Sequence, residues 1–519
     1  MIHFIQRHAK KIIGVLSGFD RLRFRGTLRE LAYVEGMKGF LWRAKVLLKD
    51  FGKYALGISE QVKQATVELA ERNNRPLVYL ASSATDKEAT ARKMAATDGV
   101  KEGLIGILSC VENCRSYEIH RNAQRKMLEL RNVPRKCLHY YFYFQHPRLG
   151  FLHARLQTWF PFDLRVCLNG REWMCRELER LGIGFRRREN CLVQVESVAR
   201  AQRVLDQQLR LNWAGTLNSL ADFVHPLRIQ LLPSEAPDYY WSLDESEWAT
   251  DVLFRSPSDL AELYPPLVQH ALASFGSRDV MRFLGRKVPT VGVNGNFQGE
   301  VVSDLKARPE GLRVKHRVGA NSIKMYDKQG SVLRIETTIN DPSDFKVFRA
   351  KEGEENGPQD WRPLRKGVAD VQRRAQVSQA ANERYLAELA AASETTSLAD
   401  LTESLCHRVK FAGRYVRGLN PLAGDDAQLL AAVHRGEFTI NGFRNRDLQP
   451  LLYAKPAQDP AEKRRQSGAI TRRLRLLRAH GLIKKIPKTH RYHVTDHGRL
   501  AITALLAARQ ANTLQLTAA

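Results

Sequence analysis

Residues 467–501 read SGAITRRLRLLRAHGLIKKIPKTHRYHVTDHGRLA. The pattern predicts a helix, a stop, a basic β-hairpin and a second helix. Ser467 suits a helix N-cap, because its hydroxyl accepts from a free first-turn amide. Ile470, Leu474 and Leu477 fall at i, i+4 and i+7 and share one face for a core. Arg472, Arg473, Arg475 and Arg478 project elsewhere. Gly481 stands where a left-handed helix end needs no Cβ. Leu482-Ile483 and Tyr492-His493-Val494 then flank a tip holding Lys484, Lys485, Pro487, Lys488 and Arg491.

This unit resembles the recognition helix and wing of winged-helix proteins of the MarR type. The resemblance is carried by the arginine-rich helix, the His480-Gly481-Leu482-Ile483 break and the Val494-Thr495…Gly498-Arg499 exit. It implies that Thr471, Arg472, Arg473 and Arg475 face a DNA major groove. Lys488 and Arg491 would reach backbone or minor groove, and Arg478, Lys484 and Lys485 would add to the DNA-facing set. Residues 461–500 hold 12 Lys and Arg against 2 Asp and Glu, a net +10. Cations at that density displace counterions condensed on phosphates, the source of non-specific affinity. The alternative is a winged helix used for protein contacts or as a structural module.

At 519 residues the chain is too long for one core. A hydrophobic content of 43% and a charged content of 26% are ordinary for a soluble protein, but a net charge of +27 points to a polyanionic partner. The seven cysteines (110, 114, 137, 167, 175, 191 and 406) are odd in number and irregularly spaced, so a reducing, cytoplasmic setting is expected. Cys110-x3-Cys114 lacks a second nearby pair, which argues for idle thiols over a zinc site. The first twenty residues carry internal charge and do not read as a signal peptide. No stretch approaches the ~20 apolar residues of a membrane span, so no membrane partner is expected.

The expected fold class is α+β and multi-domain. Residues 1–200 form an α/β basic domain, 201–350 a helical region with a central antiparallel β-hairpin, 351–420 a long helical segment, and 421–519 the winged helix. In the first of these, Arg21, Arg23 and Arg25 alternate with Leu22 and Phe24, so a strand lays a row of cations on one sheet face. These arginines join the candidate DNA-binding set. Residues 76–81 read as a short buried strand, and the aromatics at 138–159 as two strands, mostly core. Residues 200–290 read mainly helical. Within them, Asp244, Glu245, Glu247, Asp251, Asp259 and Glu262 face only Arg255. That acidic patch either docks on a basic surface of the same chain or is solvated.

Residues 315–340 read as a hairpin. A three-residue loop, Lys328-Gln329-Gly330, pairs Met325 with Leu333 and Lys324 with Arg334. Ile323, Met325, Leu333 and Ile335 then form one face, and Lys324, Tyr326, Arg334 and Glu336 the other. This Lys-x-Tyr-Asp-Lys…Leu-Arg-x-Glu pattern is similar to a stretch of rolling-circle replication initiator proteins of plasmids and phages. The resemblance implies a catalytic set of Tyr326, Glu336, Lys324 and Arg334, with Glu336 as a metal ligand and Tyr326 as nucleophile. Asp20 and Glu112 are further candidate ligands for Mg²⁺ or Mn²⁺. Many such enzymes carry two histidines one apolar residue apart; no such triplet occurs here, so the site must be carboxylate-based or absent. The alternative is an ordinary hairpin with a cross-strand Lys/Arg–Glu pair. P-loop, GxSxG and HExxH motifs are absent.

The sequence therefore predicts a sequence-recognising DNA-binding protein of a mobile element, plasmid or phage, with replication-initiator or nicking activity as an extension and oligomerisation open. A transcriptional regulator with a large N-terminal region, and an RNA-binding protein with an aromatic, basic sheet, are the other readings.

Overall fold

The computed structural model describes residues 1–511 apart from 232–237, 286–300, 310, 352–353, 355–356, 392–397, 436–437, 439–441, 455–456 and 488. Helices and strands are both abundant, so the chain is mixed α/β with a large mixed sheet. It folds as two compact units rather than the four expected segments. One comprises Ser17–Trp248 and Arg365–Gln372; the other comprises Met1–Leu16, Ala249–Leu364 and Arg373–Ala519.

In the 17–248 unit, β1 (Ile12–Thr27) enters from the N-terminal segment and is followed by β2 (Leu77–Tyr79), β3 (Gly103–Asn122), β4 (Met127–His146), β5 (Gly150–Gln157) and β6 (Leu164–Asn169). Their order is β1-β6-β5-β4-β3-β2. All these neighbours are antiparallel except β2, which runs parallel to β3. The alternation on β1 works as read: Leu22 and Phe24 are fully buried, whereas Arg21, Arg23 and Arg25 lie half-exposed on the other face. The aromatics of β4 and β5 are core, with Tyr140, Phe142, Tyr143, Phe144 and Phe151 buried. β2 is not the buried strand expected. It is the edge strand of the sheet, and Val78 and Tyr79 are exposed.

β7 (Phe185–Arg188) and β8 (Cys191–Val195) form a small hairpin that carries the Arg186-Arg187-Arg188 run. β9 (Tyr240–Phe254) corrects the helical reading of this region. Its acids keep no alternation with the apolar residues: Glu245, Glu247 and Asp251 fall at the same odd positions as Trp241 and Leu243, and Glu247 and Asp251 are buried with them. Paired acids on a strand buried on both faces hide the alternation that a half-solvated strand would show.

The other unit opens its sheet portion with β10 (Val301–Arg308), β11 (Gly311–Val318), β12 (Asn321–Lys328) and β13 (Val332–Ile339), an antiparallel meander. The helices Pro257–Ser274 and Val371–Ala391 pack on it, burying Tyr264, Leu267, Tyr385 and Leu389 with Ile323, Met325, Leu333 and Ile335. The β12–β13 register differs from the one expected. Met325 faces Ile335, Lys324 faces Glu336 and Tyr326 faces Arg334, around a loop of Gln329, Gly330 and Ser331. Gln329 and Gly330 take positive φ, +55° and +71°, and the loop sits one residue later than read. A shift of two in pairing preserves the side-chain faces, because strand side chains repeat every second residue. β14 (Lys346–Arg349) pairs with β15 (Asp360–Pro363), and β16 (Val409–Phe411) with β17 (Arg414–Val416). β15, β16 and β17 fall within the stretch read as a long helical segment, 351–420, whose helices are Val371–Ala391 and Leu398–Cys406.

The chain then runs through α1 (Gly424–Val433), β18 (Phe443–Arg444), α2 (Asn445–Leu452), α3 (Pro460–Ala479), β19 (Ile483–Lys485), β20 (Arg491–Val494) and α4 (Asp496–Gln510). The strand order is β18-β20-β19, antiparallel throughout. Ile470, Leu474 and Leu477 enter one core with Leu430, Leu448 and Ile502, as their spacing required. Gly481 takes φ +69° just past α3. The helix start is corrected. Asp459 caps it by accepting from the Glu462 amide at 2.7 Å, with Pro460 at the first helical position. That proline-led cap starts the helix a full two turns before Ser467, whose hydroxyl instead meets Asn445.

Candidate nucleic-acid interface

The earlier start changes what α3 presents. Arg464, Gly468, Arg472 and Arg475 follow at spacings of four, four and three, so they lie along one side. The three arginines are exposed, as are Lys484 and Lys485 on β19. Among the described residues none of these five cations has an acidic partner. Thr471 is exposed, and its hydroxyl donates to the Ser467 carbonyl at 2.9 Å while accepting from the Asn445 side-chain amide. Gly468 leaves a gap in the row: a Cβ there would meet only the far end of Arg472, 3.7 Å away. The helix thus carries its least favoured ordinary residue on its most cationic side.

The other predicted contacts fare differently. Arg473 is ion-paired with Asp425 of α1. Arg478 stacks over the ring of Phe411 at 5.4 Å. Arg491 is buried, its guanidinium 3.8 Å above the Phe348 ring and bonded to the Gly442 carbonyl, so it is not part of the exposed wing. Lys488 lies outside the described residues.

The β1 arginines are already matched. Arg21 pairs with Glu247 at 2.8 Å and Glu245 at 3.2 Å, Arg23 reaches Glu245 at 3.4 Å, and Arg25 pairs with Asp163 at 2.6 Å. The acidic patch docks on cations of the chain itself. Glu262 pairs with Lys11, Asp251 with Arg334, and Asp259 completes a capping box with Ser256.

Each carboxylate singled out for metal, Asp20, Glu112 and Glu336, accepts hydrogen bonds from other side chains. Asp20 is buried and accepts from Asn190 at 2.9 and 3.2 Å. A carboxylate oxygen of Glu247 lies within 4.8 Å of one of Asp20, a partner the sequence reading did not choose because β9 was read as helix. Glu112 sits in a cradle of Tyr141, Arg155, Lys87 and the Cys110 thiol, at 2.7 to 3.2 Å. Burial pushes the Glu112 carboxyl up, but the hydrogen bonds from Tyr141, Cys110 and Lys87 and the charge of Arg155 outweigh it, to about 2. With its oxygens so occupied, Glu112 is not a free ligand.

In the other unit the polar face of the β12–β13 hairpin is buried. Lys324 donates to Glu336 at 2.6 Å across the strands, and Arg334 makes a two-pronged bond to Asp251 at 2.6 and 2.9 Å. Tyr326, 8% exposed, stands opposite Arg313 and Arg334 with Lys328 over its ring. These strands hold their ions against each other rather than toward solvent.

A second cationic region was missed. Along the far part of the β3–β4 hairpin, residues 113–136 hold seven Lys and Arg against two Glu, and Arg121, Arg125, Lys126 and Arg131 are exposed. The cations alternate with polar and aliphatic residues, so no compact motif announces them.

No protein-family model, curated protein or solved structure matches this chain. Among the described residues no helix is long and apolar enough to cross a membrane.

Proposed function

We propose that the chain is a sequence-recognising DNA-binding protein whose last hundred residues act as a winged helix. The order α1-β18-α2-α3-β19-β20-α4 supports this, with α3 as the element presented to a major groove and the β19–β20 hairpin as the wing. The observation that carries the reading is the uncovered row on α3 and β19: Arg464, Arg472, Arg475, Lys484 and Lys485, exposed and without acidic partners among the described residues. Such cations retain the counterion-release term for a phosphate backbone. Gly468 in their midst lets the helix backbone approach a partner closely. The basic β3–β4 hairpin offers further backbone contacts.

Binding of the whole chain to a duplex library, with single-stranded DNA and folded RNA as competitors at equal salt, tests this. The reading requires duplex to win and a subset of sequences to be enriched. Preference for RNA, or enrichment of no sequence, overturns it.

A second reading, metal-dependent nicking by a replication-initiator protein of a mobile element, is favoured by one observation: the buried Asp20 and Glu247 carboxylates lie close enough to share a Mg²⁺ or Mn²⁺. It predicts relaxation of supercoiled plasmid with either ion, lost in Glu247→Gln and in Glu336→Ala while DNA binding persists. Absence of any cut leaves the binding reading alone.

A further inference from the structure

The base of the β3–β4 hairpin carries a group of side chains that neither reading uses. We propose that Cys114, Cys137 and His139 form a binding site for a thiophilic divalent cation, zinc being the ion that fits the donor set.

The antiparallel register places Cys114 opposite Arg135 and Cys137 opposite Glu112, so the two cysteines are diagonal neighbours. His139 follows Cys137 by two and lies on the same face. The sulfurs are 2.8 Å apart, and one ring nitrogen of His139 lies within 4.8 Å of both. Both cysteines are half-buried, so an ion can reach them, while His139 is only 1% exposed.

The imidazole is the independent pointer. Its Nδ1 lies 3.1 Å from the Cys137 carbonyl, an acceptor only, so that nitrogen carries the proton and Nε2 keeps its lone pair. Nε2 is buried and has no hydrogen-bond partner. A buried acceptor left unmatched costs free energy, and a backbone carbonyl holding Nδ1–H is a common way of presenting Nε2 to a metal. Burial, with Arg155 nearby, holds the ring to about 4, so it is neutral at pH 7.

Two sulfurs and one imidazole nitrogen suit zinc and exclude magnesium by ligand softness. Tetrahedral zinc with Zn–S bonds of ~2.3 Å separates its sulfurs by about 3.8 Å, so the thiols part by about 1 Å on binding. Each thiol that binds gives its proton to solvent. Glu112 is held by its four donors, so the fourth position falls to water or an added ligand.

Metal analysis of the full chain, purified reduced and without chelator, tests the site. About one zinc per chain is expected. Replacement by Co²⁺ should give the near-ultraviolet thiolate-to-cobalt absorption. Cys137→Ser and His139→Gln should lose most of the metal, while Cys406→Ser, at an exposed cysteine elsewhere, keeps it. Should those variants fail to fold, alkylation of the native chain decides: zinc must shield Cys114 and Cys137, and a chelator must expose them. A folded, reduced chain that holds no zinc and gives no cobalt–thiolate absorption overturns the proposal. So does equal alkylation with and without the ion.

Discussion

Two rows of arginines in this chain look alike in sequence and end differently. On β1, Arg21, Arg23 and Arg25 alternate along a strand, and each meets a carboxylate of Glu245, Glu247 or Asp163. On α3, Arg464, Arg472 and Arg475 follow helical spacing and, with Lys484 and Lys485, meet none among the described residues. A run of cations therefore describes a surface only before its neighbours are added. Where acids from a distant strand cover it, the row binds the protein to itself. Where none arrives, the field reaches solvent and remains available to a polyanion.

The contrast breaks most sharply at its buried extreme. Arg334→Met removes the guanidinium that faces Asp251 and leaves a carboxylate 1% exposed in the core. Stability should fall by about 3–5 kcal/mol, read by chemical denaturation, because one member of a buried pair cannot be removed alone cheaply. A loss under 1 kcal/mol would mean that buried pairing does not set the fate of these arginines.

Arg472→Ala should leave stability unchanged within about 0.5 kcal/mol. It should weaken binding to the preferred duplex by about 1–3 kcal/mol if the side chain reads a base. Equal weakening on every duplex would mean that it touches phosphate only. Gly468→Ala should stabilise α3 by up to about 1 kcal/mol, since the new Cβ meets only the flexible end of Arg472 at an ordinary contact distance of 3.7 Å. The same change should reduce duplex affinity, and an unchanged affinity would show that no partner approaches the helix backbone there. The smallest effect belongs to Arg473→Ala, about 0.2–1 kcal/mol of stability from an exposed pair with Asp425, with little change in binding.

The legible parts were those set by local periodicity. Ile470, Leu474 and Leu477 named the core face of α3, Gly481 its end, and the alternation at 323–326 and 333–336 the two faces of the hairpin. For the acidic patch the sequence left two outcomes open, a solvated face or docking on cations of the same chain, and the pairs of Glu245, Glu247, Asp251 and Glu262 are of the second kind. Long-range pairing decided the rest. β9 was misread because its acids find cations on distant residues, so a strand buried on both faces kept the composition of an exposed helix. The Asp20–Glu247 proximity was lost with it. Cys114, Cys137 and His139 stand on two strands joined by a turn at 123–126, and only the register of Cys137 opposite Glu112 brings them together. The start of α3 was misplaced: Ser467, a good cap residue beside the arginines, was read as the N-cap that Asp459 supplies. The fate of Arg491 depended on Phe348, more than a hundred residues away.

The central claim is that the uncovered cations of α3 and β19 exist to meet duplex phosphates. Fluorescence anisotropy of the whole chain on one labelled duplex across a salt series tests it directly, with Arg472→Ala/Arg475→Ala/Lys484→Ala/Lys485→Ala measured beside the native protein. The account predicts a straight line of log affinity against log salt, whose slope falls by about 0.9 for each phosphate contact removed, so by up to about 3.6 in the fourfold variant. An identical slope in the two proteins, with the variant folded, would contradict it.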